Sequence, residues 1–364
     1  MTDVTASPPP AKPAWLGLLP RPSVVISVGA VLAAAVLGLL LIFAIGVPVS
    51  DAIGAFIDGT IGSPYAIAAS LNRSMAFALV GIGFVIANRA NLVNVGGEGQ
   101  IAVGGIVATA VALYGHVAGL PLGLAFILPL IAAAIAGMLW GMIAAVLKIK
   151  VGTNEVISTL LLSFIAVWLL YWCVQSPELL RKPMTSSATL PESLEIPDPT
   201  KLPLLTGDYS FPVHIGLPIT VVIAIVAGIV LAKTVFGLQL RAVGFNPVAA
   251  SRAGISYARM VLASLAIAGA LGGLAGGFML LGDQYVLKDG FSSGYGFDGL
   301  VAGLLARGSV VGVVAAALLF GFLRSGGINM EMVAGVPTAL VMVIQGLIVV
   351  TLAGAAFFID GRRA

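Results

Sequence analysis

Apolar runs, most of them close to 20 residues long, recur along the whole chain, at 23–47, 65–87, 101–118, 121–147, 154–175, 216–236, 258–282, 297–306, 309–323 and 334–358; the eighth is short. About 20 such residues carry an α-helix across roughly 30 Å of hydrocarbon. Lipid offers the backbone no hydrogen-bond partner, so these runs must be helices. Only 9% of the 364 residues are charged, whereas a soluble domain carries about 25%. The 46 glycines suit close helix packing and broken helices. The net charge of +3 is not gathered into a nucleic-acid patch, and Cys173, the single cysteine, excludes an intrachain disulfide and a cysteine metal site. We expect an all-α polytopic membrane protein of about ten transmembrane segments over 23–358. The proline-rich head, 1–22, is expected to be disordered, and 359–364 forms a short tail.

Charge orients the chain. Lys233, Arg241, Arg252 and Arg259 lie in one connection without an acid; Lys148 and Lys150 follow the fourth run; Arg362 and Arg363 close the chain. The positive-inside rule places all of these in the cytoplasm, together with both termini. Residues 48–64 hold Asp51 and Asp58 and no base, and are expected outside. The 176–215 connection has five acids, three bases and seven prolines, and reads as an external loop. "GEGQIA" at 97–102 echoes "FDGLVA" at 297–302, with Glu98 facing Asp298. The first would open a span running outward and the second a span running inward, the pattern of a 5+5 inverted repeat.

The stretch "NLVNVGGEGQIAVGG", 91–105, sets Asn91, Asn94, Glu98 and Gln100 among five glycines. Gly96, Gly97 and Gly99 penalise continuous helix by roughly 1 kcal/mol each. A break followed by a helix from about Glu98 is expected, with the carboxylate favoured in the first turn. Two uses compete: a helix cap at a turn, or a broken segment lining a polar cavity. "GTNEVISTLLLSFIA" at 152–166 reads first as capping by Thr153 or Asn154, with Glu155 in the first turn. Residues 237–257 are too polar to span. Ala242, Val243, Phe245, Ala249 and Ala250 can form a small apolar surface with Arg241, Arg252 and Arg259 projecting around it; Pro247 suits a helix start and Gly254 a helix end. Such a helix suits docking into a partner's groove, or lying on the lipid surface. His116 and His214 lack ligand spacing, Arg73 and Arg307 are expected to snorkel, and no GxxxxGK[ST] provides an ATP site. Trp168, Tyr171 and Trp172 suit an interfacial belt.

These motifs carry a resemblance. "NVGGEGQ" (94–100), "GTNEVISTLLLSFIA" (152–166), "RAVGFNPVAASRAGI" (241–255) and "GYGFDGLVAGLLARGSVVGVVAAALLFGFLRSGG" (294–327) resemble, in order, signatures of permease subunits of bacterial ABC importers for nucleosides and simple sugars. The likeness is greatest to the larger permease of nucleoside systems served by a Bmp-type lipoprotein, within the branched-chain/ribose permease superfamily. Ser163 departs from the family, which often has Asn there. The resemblance implies a multi-pass subunit of the bacterial inner membrane with no ATP site of its own and no cofactor. It implies a second homologous permease, two ATP-binding subunits carrying ATP and Mg, and an external substrate-binding lipoprotein. It makes 241–255 the coupling segment, through Arg241, Gly244, Asn246, Pro247, Ala250, Arg252 and Gly254. Expected cargo is a nucleoside, purine nucleosides included; a ribose-type sugar permease is the alternative, and a stand-alone secondary transporter a third. Pathway candidates are Phe77, Phe84, Asn94, Glu98, Gln100, Asn154, Glu155 and Asp298, with Phe164 as a further possible contact.

Overall fold

The computed structural model describes residues 22–121, 123–184, 190–337, 339–347 and 350–351. The tail and all of the head except Pro22 lie outside them. The described residues fall into two compact units, one from residues 22–49 and 336–351, the other from residues 50–335. In the first, α1 (Pro22–Ala44) and the helical residues 339–347 are neighbours, since a Cβ on Gly38 would meet Ile344 at 3.0 Å.

The second unit holds every motif discussed above. Its helices are α2 (Val49–Thr60), α3 (Pro64–Arg89), α4 (Gly97–Tyr114), α5 (Leu124–Val151), α6 (Glu155–Gln175), α7 (Gly216–Lys233), α8 (Val235–Phe245), α9 (Pro247–Arg252), α10 (Tyr257–Met279), α11 (Tyr295–Leu305) and α12 (Val310–Ala334). Among the described residues seven are long and apolar enough to cross a membrane: α3, α4, α5, α6, α7, α10 with its π-helical extension to Gln284, and α12. They sort by burial. In their most apolar windows α3 is 83% buried and α10 72%, whereas α6 and α7 are 28% buried. The interior pair therefore packs with small residues: Gly269 and Gly273 of α10 lie directly on Gly137 of α5, leaving no space for a side chain. The exterior helices show Ile, Leu and Val outward, with Trp168 and Trp172 exposed near one end of α6.

The packing is reciprocal. α10 lies on α5 and α3 on α12; α4 lies on α10 and α11 on α3. Gly104 of α4 meets Gly273, and Gly299 and Gly303 of α11 meet Val80 and Phe84.

Two expectations need correction. The eighth apolar run is not a span: α11 has 11 residues, a rise of about 16 Å, and ends at the turn containing Arg307 and Gly308, both at positive φ. The ninth run extends to Ala334, because Gly326 and Gly327 are buried within α12 and Gly326 packs on Phe56. Residues 48–64 are mostly helix: α2 buries Ala52 and Ala55, and Asn329 Nδ2 donates to Ala55 O at 2.6 Å.

The 176–215 segment folds over the loop after α10. Ser193 N donates to Leu287 O (2.8 Å), Ile196 N to Tyr285 O (3.0 Å) and Leu202 N to Leu281 O (2.8 Å). Lys201 pairs with Glu195 (2.6 Å) and Asp198 (2.7 Å) and stands 4.8 Å over the Tyr285 ring. Hydrogen bonds to Asp198 and Glu195 raise its pKa.

Candidate functional site

Asn91 to Gly96 is the non-helical link between α3 and α4, and the buried side chains of Asn94, Glu98 and Gln100 all have partners. Asn91 turns the chain at φ 57°. Asn94 and Gln100 form a reciprocal amide pair: Asn94 Nδ2 donates to Gln100 Oε1, and Gln100 Nε2 donates to Asn94 Oδ1, both at 3.2 Å. Asn94 Oδ1 also accepts from Gly96 N at 3.0 Å. The link's outward backbone donors go to α6. Val93 N reaches Glu155 Oε1 (3.5 Å), Val95 N reaches Thr159 Oγ1 (3.1 Å) and Gly99 N reaches Ser163 Oγ (3.3 Å). Glu155, Thr159 and Ser163 recur every four residues and so share one helix face. Lys148 Nζ holds the other Glu155 oxygen at 2.5 Å, while Asn154 caps α6 by accepting from Val156 N at 2.8 Å. Asn154 and Glu155 are thus a cap and a brace. Thr159 and Ser163 were not among the expected site residues, although the four-residue polar spacing inside an apolar run could have found them.

Glu98 does something the local sequence does not reveal. It lies in the first turn of α4, but its carboxylate serves another helix. Gly294 N donates to Oε1 and Gly296 N to Oε2, each at 2.8 Å. These are free N–H groups at the start of α11, where a negative charge is favoured. Gly296 lies so near the Gly97–Glu98 backbone that a Cβ would overlap it, and a Cβ on Gly97 would meet Gly296 O at 3.1 Å. The starts of α4 and α11 therefore abut beside Val80, within α3.

Asp298 belongs to the first turn of α11, as Glu98 does to α4. Phe77 is fully buried, stacks on Tyr295 (4.8 Å, 12°) and meets Phe320 edge-on. Phe84 is buried against Gly303, whereas Phe164 is 55% exposed on the outer face of α6. Arg73 does not snorkel: its Nη1 donates to Ser325 Oγ at 2.8 Å inside the bundle.

The polar connection forms two helices, α8 and α9. Arg241 points inward, donating from Nη1 to Leu231 O at 2.6 Å at the end of α7. Gly244 packs on the backbone of Arg89 and Asn91, and Ala250 is buried. Asn246 Oδ1 caps α9 by accepting from Val248 N and Ala249 N, both at 3.0 Å; Pro247 follows, and Gly254 ends the turn at φ +83°. Phe245 is 89% exposed, with Val248 and Arg252 also exposed nearby, and Pro247, Val248, Ser251, Arg252 and Tyr257 line a shallow cleft. Arg89 Nη2 donates to Gly308 O at 2.6 Å, tying the end of α3 to the α11–α12 turn.

Residues 66–353 match the family described as branched-chain amino acid transport system / permease component. The chain is 34% identical over 339 residues to the glucose ABC transporter permease protein TsgB13 of Haloferax volcanii, covering 90% of this chain and 86% of that one. It is 33% identical to the guanosine ABC transporter permease protein NupP of Bacillus subtilis, covering 89% and 92%, and 30% identical to the nucleoside ABC transporter permease protein NupB of Lactococcus lactis, covering 79% of each. No solved structure matches the chain. A multi-pass bundle with two abutting helix starts and a family match over most of its length identifies the chain as a member of the ABC transporter permease-component family, a transport subunit.

Proposed function

We propose that the chain is the permease subunit of an ABC importer that takes up nucleosides, purine nucleosides included. The observation that carries the transport reading is the junction of two helix starts, α4 and α11, within the bundle. Irregular backbone at membrane depth is tolerated where it is packed in protein or lines a water-filled path. Asn94, Glu98, Gln100, Asn154, Glu155, Phe77, Phe84 and Asp298 border that path. Glu98 acts in it by holding α11, and Glu155 by holding the link. Support for nucleosides comes from the guanosine and nucleoside relatives. A simple sugar is the second reading, supported by the glucose relative.

The reciprocal packing supports an inverted repeat in which α3 corresponds to α10, α4 to α11 and α5 to α12. In this reading α11 is a half-span, both termini are cytoplasmic, and 176–215 faces outward towards a substrate-binding lipoprotein. The α8–α9 pair is the coupling segment. Phe245, Val248 and Arg252 face one of two ATP-binding subunits, which supply ATP and Mg, and a second, homologous permease completes the membrane assembly. Labelled guanosine uptake by proteoliposomes holding the whole importer tests the reading. ATP-dependent uptake that Phe245→Ser abolishes, while the permease stays folded, supports it; no uptake of guanosine by the intact importer overturns it.

A further inference from the structure

Two arginines inside the bundle take no part in the helix junction. Arg73 is on α3 and Arg324 on α12, and both are half-buried. Arg73 Nη1 donates to Ser325 Oγ at 2.8 Å, next to Arg324 on α12. Arg324 Nη2 donates to Ser293 O at 2.8 Å, and its guanidinium lies 5.4 Å over the Tyr295 ring. The Nε of each is buried without a partner among the described residues. A guanidinium has five N–H donors, so both have donors to spare. Asp298 follows Tyr295 by three residues on α11 and has no hydrogen-bond partner or ion pair for its carboxylate among the described residues; Arg324 and Glu98 are the charges that face it. An ionisable group in this setting marks a functional site.

The unused groups are thus cationic donors beside an anionic acceptor. The aromatic ring among them is taken: Phe77 is stacked on Tyr295 and Arg324 covers it, so little of that ring is left for a nucleobase. Vicinal hydroxyls suit this set, because each hydroxyl both donates, here to a carboxylate, and accepts, here from a guanidinium. We propose that Arg73, Arg324 and Asp298 form a station that reads the vicinal diol of a sugar ring. Guanosine and glucose share that group, which accounts for relatives of equal similarity named for each. The proposal rests on the transport reading above and specifies its ligand chemistry.

The test uses the whole importer in proteoliposomes, with labelled guanosine and with unlabelled guanosine or 2′,3′-dideoxyguanosine as competitor. A site built around hydroxyls rejects an analogue lacking them strongly, so the wild type should prefer guanosine by at least about tenfold. Asp298→Asn and Arg324→Lys should reduce that preference to about twofold or less, with folded yield unchanged. As a second readout, ribose should raise the melting temperature of the purified wild-type complex and not that of the Asp298→Asn complex. Guanosine uptake with the same preference in wild type and both variants overturns the station and leaves the nucleoside reading standing. A wild type that takes up no guanosine, yet is stabilised by ribose only while Asp298 is present, overturns the nucleoside reading and keeps the station. If a variant abolishes uptake, the ribose shift decides: a wild-type shift in Asp298→Asn overturns the proposal.

Discussion

Glu98 and Asp298 hold the same place in two similar sequences and are treated in opposite ways. Each lies in the first turn of a helix that starts inside the bundle. Both Glu98 oxygens are filled by Gly294 N and Gly296 N, whereas Asp298 accepts no hydrogen bond among the described residues. The surroundings differ too. The α4 start is braced by α6 through Thr159 and Ser163, while α11 is held at its start by Glu98 and at its end through Arg89 and Gly308 O. A satisfied carboxylate is structure; an unsatisfied one at the same depth is available to a ligand. The echo between 97–102 and 297–302 marks both positions, but only the partners tell them apart.

The comparison breaks through packing at Gly296. Its Cα lies on the Glu98 backbone, so Gly296→Ala forces two helix starts apart, at the upper end of the roughly 1–3 kcal/mol that overpacking costs. Folded, membrane-inserted protein should fall several-fold, measured by fluorescence-detected size exclusion. The same substitution at Gly294, where a Cβ has space, meets only its positive φ of 83° and should be milder.

His214 sharpens the comparison by lowering stability without touching either acid. It is buried against Phe278, accepts from Gly216 N through Nδ1, and burial pushes its pKa down to about 4. Between that value and the usual 6.5 the unfolded chain binds more protons than the folded one, so stability is lost as pH falls through this window. The upper bound is about 3 kcal/mol. Melting temperature should drop from pH 7.5 to pH 5, and His214→Gln should flatten the drop. Uptake per folded complex should follow neither change.

The smallest effect is expected at Thr159. Thr159→Val keeps the shape and leaves Val95 N without its acceptor, at about 1–3 kcal/mol. Thr159→Ser should restore the melting temperature. If Thr159→Val melts like the wild type, α6 does not brace the link.

Much of the first junction was legible because its signals are local. Three glycines among polar residues announced the break before α4, and Pro247 and Gly254 marked the bounds of α9 through backbone rules. Glu98's partners lie almost 200 residues away, and no local rule finds them. Arg73 read as a snorkelling residue because its partner, Ser325, comes from α12. The short run at 297–306 was legible and set apart from 309–323, but its apolar composition let it count as a span, although 11 residues of helix are too short to cross. α2 went unread for a different reason: 48–64 was read only for its acidic charge, although Ala52, Ala55 and Phe56 already fall at helical spacing.

The most direct measurement compares Glu98→Ala with Asp298→Ala in one assay, recording folded yield and uptake per folded complex. Glu98→Ala strands the buried Gly296 N–H and the part-buried Gly294 N–H, up to about 6 kcal/mol together, so yield should collapse. Asp298→Ala removes a carboxylate that holds nothing in place, so yield should match the wild type while uptake per folded complex falls at least about tenfold. The reverse result, normal yield for Glu98→Ala and lost yield with normal per-complex uptake for Asp298→Ala, contradicts the division between clamp and ligand site.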